Sequence, residues 1–292
     1  MYATTPPHGV PLGSSQREIP VSWNTFDRGT FHSDLDSLIF SRGLETENPH
    51  AIKSILDLGC GSARPALGLV KYATYVGIDI DEKATMYARG NLAKVGASDG
   101  SKIINSDVRT LQAWRSELPL SIPWDLVAAN LPYLPTEQPN ILGREVDGGR
   151  RGTDLVPNSV LEIARHLAAR RIVLNISSLC DLDFVGHAIS KAGYGVVRVV
   201  ATVAELEEYA QTVLDYLKRV RRLRNAEGFV RLYQRGSEWR QIIFAVELVN
   251  GEGAPFDLMF TEAEKILSPD ADSSGKIIVG SCSWRSGHEH TS

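Results

Sequence analysis

Residues 125–135 read D-L-V-A-A-N-L-P-Y-L-P, an apolar run suited to a buried strand that passes straight into the polar tetrapeptide Asn130-Leu131-Pro132-Tyr133. Pro132 biases Leu131 away from helical geometry, so no helix starts there and the Leu131 carbonyl stays outside any helix ladder. Open α/β sheets bind ligands at the carboxyl edge of their strands, and this stretch places a side-chain amide, a free carbonyl and an aromatic ring at that edge. Two acceptors beside a flat face suit a planar group bearing an NH2, such as an amide or the exocyclic amine of a base.

Working upstream, residues 54–63, S-I-L-D-L-G-C-G-S-A, read as a strand entering a glycine turn, with a helix over 64–72. Gly59 and Gly61 permit a tight turn and the close approach of a ligand, and the helix that follows presents unpaired N–H groups to it. A second strand over 75–81, Y-V-G-I-D-I-D, ends in Asp79, about twenty residues on, where a ribose-binding carboxylate belongs in a βαβ nucleoside site. Residues 82–95 read as a helix, and 102–108, K-I-I-N-S-D-V, as a third strand with Asp107 at its end, placed to accept from an adenine amine. Each acid equally suits a helix cap, and a glycine pair after a strand is also ordinary turn chemistry. Cys60 reads as a small filler. Before this unit, residues 1–20 are rich in proline, glycine and serine and predict a loose arm. A short helix follows from Phe31, capped by Ser33, with Asp34 and Asp36 at its positive end and Gly43 closing it.

Downstream, the loop 136–152 contains D-G-G-R-R-G, too glycine-rich for regular structure and long enough for a lid at the ligand edge. A helix over 155–169, capped by Thr153 or Asp154, a strand over 171–177, a helix over 181–191 and a strand over 195–202 continue the alternation. A late strand over 240–249 pairs antiparallel. Between them, Leu206, Tyr209, Val213, Leu217 and Val220 fall at helical spacing and predict one amphipathic helix, on the sheet or at a dimer contact. The basic run K-R-V-R-R-L-R at 218–224 reads as cations at a helix end facing water, or as a substrate or RNA contact. The expectation is an α/β, doubly wound, Rossmann-like sheet of seven strands, mostly parallel with one antiparallel. Three parts follow: an arm and short helix (1–50), a catalytic domain (51–250) with a helical insertion at about 203–238, and a tail (251–292) with one helix at 261–267.

At 292 residues and 43% apolar the chain can bury a sizeable core, and its net charge of −4 gives no global attraction to nucleic acid or membrane. Three cysteines with no C-x-x-C argue against a disulfide framework or a zinc cluster, and no metal is expected. No signal-type or membrane-spanning apolar run is present in the sequence, so a cytoplasmic location is expected.

With D-L-G-C-G, G-I-D-I-D, S-D-V and N-L-P-Y in this order, the chain resembles a class I S-adenosylmethionine-dependent methyltransferase over about residues 30–202 and the last strand. It looks most like the HemK/PrmC group of protein-glutamine N-methyltransferases and the related enzymes that modify adenine. Ala63 stands where the family's third loop glycine would be, and Leu131 where N-P-P-Y has a proline. The stretch 147–155, D-G-G-R-R-G-T-D-L, is similar to a segment that follows N-P-P-Y in the glutamine group and turns the resemblance toward amides. The resemblance implies S-adenosylmethionine as cofactor, with Gly59 and Gly61 at its methionine portion and Asp57 meeting its ammonium through water. It places Asp79 at the ribose and Asp107 at the adenine, with Ile80 and Val108 beside them and Asn130 at the methyl. Asn130 and the Leu131 carbonyl would accept from the substrate nitrogen, Pro132 would shape the turn and Tyr133 would stack on the amide. Phe31 and His32 are candidates to close over the cofactor. Bacterial members carry an N-terminal helical domain that grips a release factor, which residues 1–50 are too few to form, so the chain is more like short members that work with a helper protein. The implied activity is N-methylation of a protein glutamine or a small amide or amine. Adenine N6-methylation of RNA or DNA, aminocarboxypropyl transfer or cyclisation, and a non-catalytic binding module are the alternatives.

Overall fold

Short apolar runs alternating with helical segments build one sheet with helices on both faces. The computed structural model describes residues 17–18, 34–46, 48–119, 123–138, 141–221, 228–251, 253–267 and 276–281. Phe31, His32, Ser33, Cys282 and the basic residues Arg222 and Arg224 lie outside the described residues.

The strands are β1 (Arg17–Glu18), β2 (Ser54–Leu58), β3 (Thr74–Asp79), β4 (Lys102–Asn105), β5 (Leu126–Ala129), β6 (Arg171–Ser177), β7 (Tyr194–Glu205), β8 (Tyr233–Arg235), β9 (Glu238–Asn250) and β10 (Lys276–Ser281). Their order is β1-β10-β7-β9-β6-β5-β2-β3-β4, with β8 paired to β9 beside this path. From β6 to β4 every pairing is parallel, and β2 and β5 are buried at every position, as strands covered by helices on both faces are. β9 runs antiparallel between β6 and β7.

The expectation of seven strands with one antiparallel is corrected here: among the described residues nine strands make the continuous path, and β10 is a second antiparallel neighbour of β7. The apolar part of β10 is a short run inside polar sequence, which has no strand signal of its own. It forms a strand because β7 offers it the edge from Arg198 to Thr202, on which residues 277–281 pair antiparallel. The stretch after residue 250 also carries a helix that begins five residues before the expected 261.

On one face lie α1 (Asp34–Leu44), α2 (Leu67–Val70) and α3 (Glu82–Val95), whose Phe40, Leu44, Val70, Ala88 and Leu92 share a core with Ile55, Tyr75 and Val173. The Asp81 carboxylate caps α3 by accepting from Lys83 N at 2.8 Å, and Gly96, at φ 65°, ends it. The other face carries α4 (Leu111–Trp114), a π-helical turn (Val156–Leu161) leading into α5 (Glu162–His166), and α6 (Leu182–Lys191). Trp114, Ile163 and Val185 fill the larger core there.

The insertion is not the single helix that its spacing predicts. It breaks at Val213 into α7 (Glu208–Thr212) and α8 (Leu214–Arg219), because Val213 leaves helical geometry at φ −104°, ψ 13°. Leu206, Ala210, Val213 and Leu217 pack on Leu134, Leu142 and Val146, so the apolar face of the insertion roofs the loop after Tyr133. Lys218 and Arg221 lie over the Trp239 ring, and Arg219 pairs with Glu137 at 2.6 Å. The last helix, α9 (Phe256–Leu267), packs on α6 and β7 through Met259 and Phe260. Among the described residues no helix is long and apolar enough to cross a membrane.

Candidate functional site

The strands β2, β3 and β5 end at one edge, and a cavity of about 1150 Å³ opens there. That volume exceeds the roughly 300–1,000 Å³ of a pocket for one drug-sized ligand, so a nucleoside ligand and a second group fit together. Gly59, Gly61, Asp79, Ile80, Asp107, Val108 and the whole tetrapeptide Asn130 to Tyr133 line it. Asp57 does not line it.

The glycine turn is held by the end of β3. Gly59 N and Cys60 N both donate to the Ile78 carbonyl, at 2.8 and 3.0 Å, and Gly61 N donates to Asp79 Oδ2 at 2.8 Å. Gly59, Gly61 and Ala63 all take left-handed φ angles, 70°, 52° and 61°, so the alanine that replaces a third glycine bears backbone strain. The two glycines serve different needs. A Cβ at Gly59 would lie 2.5 Å from Leu131 Cδ2, so the cofactor-side turn and the tetrapeptide are in contact. A Cβ at Gly61 would meet nothing within 4 Å, which leaves that backbone open to the cavity.

Asp57 sits beneath the turn, 1% exposed, and accepts from the Tyr75 hydroxyl at 2.6 Å. Its Oδ1 has no hydrogen-bond partner, and burial pushes the carboxyl up to about 7 despite the Tyr75 hydrogen bond. Asp79 spends one oxygen on Gly61 and the other on Asp81 N, at 2.9 Å, and burial raises its carboxyl above the usual range. Asn105 clamps the same corner by donating to the Asp79 and Ile80 carbonyls. Asp107 is engaged by Arg109, whose backbone and guanidinium both donate to it, and these bonds hold its carboxyl below the usual range.

In the tetrapeptide, Asn130 Oδ1 accepts from Asn175 Nδ2 at 2.9 Å. Asn175 is 1% exposed on β6, directly beside the end of β5. The Tyr133 hydroxyl donates to the Asp36 carboxylate of α1. Burial, then Asp36, raises the tyrosine well above its usual range, so it stays a donor.

The glycine-rich loop is not a free lid. Gly148 N donates to the Leu134 carbonyl, Asp147 accepts from Thr136 Oγ1 and Gly149 N, Tyr216 donates to the Arg150 carbonyl, and Arg151 pairs with Asp181. A Cβ at Gly148 would come 2.7 Å from Tyr133 Cα, and one at Gly152 would overlap the Tyr133 carbonyl oxygen. D-G-G-R-R-G therefore buttresses the backbone of the tetrapeptide.

Four contributors escape the motif-based reading: Asp36, Asn175, Glu207 and Gln241. Asp36, Glu207 and Gln241 line the cavity, and Asn175 holds Asn130 from behind. Asn175 had a signal, a lone amide inside the apolar strand R-I-V-L-N-I-S. The other three depend on tertiary placement alone.

No family model matches the chain. It is 30% identical over 182 residues to the release factor glutamine methyltransferase of Caulobacter vibrioides, covering 56% of this chain and 58% of that protein. It is 32% identical over 108 residues to the ribosomal protein L11 methyltransferase of Haemophilus influenzae, covering 36% of this chain and 32% of that one. Among solved structures, a precorrin-6y C5,15-methyltransferase from Geobacter metallireducens aligns with a TM-score of 0.42 at 14% identity, over 76% of this chain and 92% of that chain. The chain thus spans about a third to somewhat over half of these curated relatives, each of which is named a methyltransferase.

Proposed function

We propose that the chain is an S-adenosylmethionine-dependent N-methyltransferase whose acceptor is the nitrogen of a primary carboxamide, with a protein glutamine as the leading candidate. The observation that carries this reading is the Asn130 amide, braced by Asn175 and set in one cavity with the Gly59–Gly61 turn. Both the release factor and ribosomal protein enzymes to which the chain is similar are named as acting on proteins.

The residues fit the cofactor. The open face of Gly61 leaves room for its methionine portion, the unpartnered Asp57 Oδ1 lies below the turn, and Asp79 lines the cavity at the end of β3, a position that suits a ribose. Bound there, the cofactor supplies an electrophilic methyl on a sulfonium. The protein's work is alignment and charge placement. An amide nitrogen is a poor nucleophile because its lone pair is delocalised. Asn130 Oδ1 and the Leu131 carbonyl accept its two hydrogens, which turns the lone pair out of the amide plane and toward the methyl. The ring of Tyr133, fixed through Asp36, packs on that plane.

Among the described residues, eight acidic side chains and three arginines line the cavity, a balance that repels a phosphate backbone and so disfavours nucleic acid. The test is incubation with methyl-labelled S-adenosylmethionine and a peptide carrying one glutamine, with products read by mass spectrometry. Methylated glutamine with S-adenosylhomocysteine is expected. Methylthioadenosine in its place would mean transfer of the aminocarboxypropyl arm and would end this reading.

A further inference from the structure

A primary amide has two ends. In the proposed pose the Asn130 oxygen and the Leu131 carbonyl both accept from its NH2, which leaves its carbonyl oxygen without a donor. A buried carbonyl left so would cost about 1–3 kcal/mol. Gln241 supplies a buried amide suited to that role. Gln241, near the start of β9, is 4% exposed and lines the cavity.

Its orientation follows from its neighbours. Leu179 N donates to Ser177 Oγ at 3.1 Å, and the Ser177 hydroxyl donates to Gln241 Oε1 at 2.6 Å. Turning the amide round would leave the Ser177 proton stranded at a site with 0% exposure. The oxygen is thus the anchored end, and Nε2, which makes no hydrogen bond to the described residues, is the donor left for a ligand. One strand braces both amides. Asn175 braces Asn130 and Ser177 braces Gln241, and these two residues stand two apart on β6, about 7 Å along one face.

We infer that Gln241 donates to the carbonyl oxygen of the substrate, so that the site recognises a whole carboxamide and discriminates against amines. This rests on the proposed amide acceptor and deepens it. A hydrogen bond to the carbonyl draws electrons away from nitrogen, so Gln241 selects at binding and does not speed transfer.

The test uses full-length protein labelled with ¹⁵N in its side-chain amides, saturated with S-adenosylhomocysteine and titrated with acetamide. Asn130→Ala and Gln241→Leu assign the two NH2 pairs. The Gln241 pair is expected to shift downfield, with acetamide binding roughly three- to tenfold weaker in Gln241→Leu. Gln241→Glu, which keeps the shape but replaces the donor by an acceptor, must weaken it at least as much. A shifted Asn130 pair with an unmoved Gln241 pair overturns the inference and leaves the amide reading standing. No shift at either pair overturns the amide reading, and the inference with it.

Discussion

The hydroxyl of Tyr133 donates to the carboxylate of Asp36, a contact that spans 97 residues of sequence and ties the substrate-side tetrapeptide to the first helix. That helix is itself clamped at its far end. Arg198 donates to the carbonyls of Gly43 and Glu45, while Glu247, buried on β9, holds Arg198 at 3.0 Å and also pairs with Arg171. The orientation of the Tyr133 ring therefore depends on residues far from the cavity.

Tyr133→Phe removes the donor and takes a buried hydrogen bond from a carboxylate that is 9% exposed. The expected loss is about 1–3 kcal/mol, seen as a fall in thermal midpoint of roughly 2–4 °C per kcal/mol. Asp36→Asn still presents an acceptor oxygen and should lose less. Equal melting of Tyr133→Phe and the parent protein would show that the contact contributes nothing.

Asp57 predicts a pH dependence in two directions. Its folded pKa, about 7, lies above the ordinary 3.8, so the folded state holds a proton that the unfolded state releases. Stability without ligand is greatest near and below pH 4 as far as this group is concerned, and declines up to pH 7 by as much as about 1.4 kcal/mol per pH unit. Affinity for a ligand ammonium runs the other way, rising up to about tenfold per unit until Asp57 is ionised. Asp57→Asn should flatten both curves. Melting and calorimetric titration with S-adenosylhomocysteine between pH 5 and 8 check this, and unchanged slopes in the variant would assign the dependence to another group.

The order of strand, glycine turn and acid was legible because each step is local: an apolar run, a position needing positive φ, a carboxylate one strand away. Relationships across the sheet were not. Asp36 reads as a complement to a helix dipole, and its service to Tyr133 arises only when α1 crosses β6 and β9. The apolar spacing from Leu206 to Val220 correctly marks a buried face, but periodicity carries no information about the break at Val213 or the loop that the face covers. Glycines 148, 149 and 152 look like flexibility in the sequence. In the fold Gly148 and Gly152 are required by the closeness of the Tyr133 backbone.

Two glycine variants separate binding from chemistry. Gly61→Ala puts a methyl into open cavity at φ 52°, so the fold should survive while affinity for S-adenosylhomocysteine falls by tenfold or so. Gly152→Ala, at φ 67°, pushes on the Tyr133 carbonyl instead, and should cut turnover with cofactor affinity nearly intact. Were both to lose cofactor binding to the same degree, the loop would belong to the cofactor site and would not be a buttress.

Asn175 acts through Asn130 and so is a positioning residue. Its Nδ2 takes one of the two lone pairs of Asn130 Oδ1, leaves the other for a substrate hydrogen and fixes the orientation of the amide. Asn175→Leu removes the brace, and Asn130 is then free to rotate and present its NH2 to a substrate that has hydrogens of its own. Asn175→Asp is worse on this account, since an acceptor facing Oδ1 forces that rotation. The expected outcome is a graded loss of kcat, about tenfold for leucine and up to a hundredfold for aspartate, on the scale of a single transition-state hydrogen bond. Cofactor affinity should stay within about twofold. Asn175→Gln, which carries the donor one methylene further, should recover little. A purely structural role makes a different demand: stability and cofactor binding would fall together in all three variants, and kcat of the surviving folded fraction would be that of the parent protein.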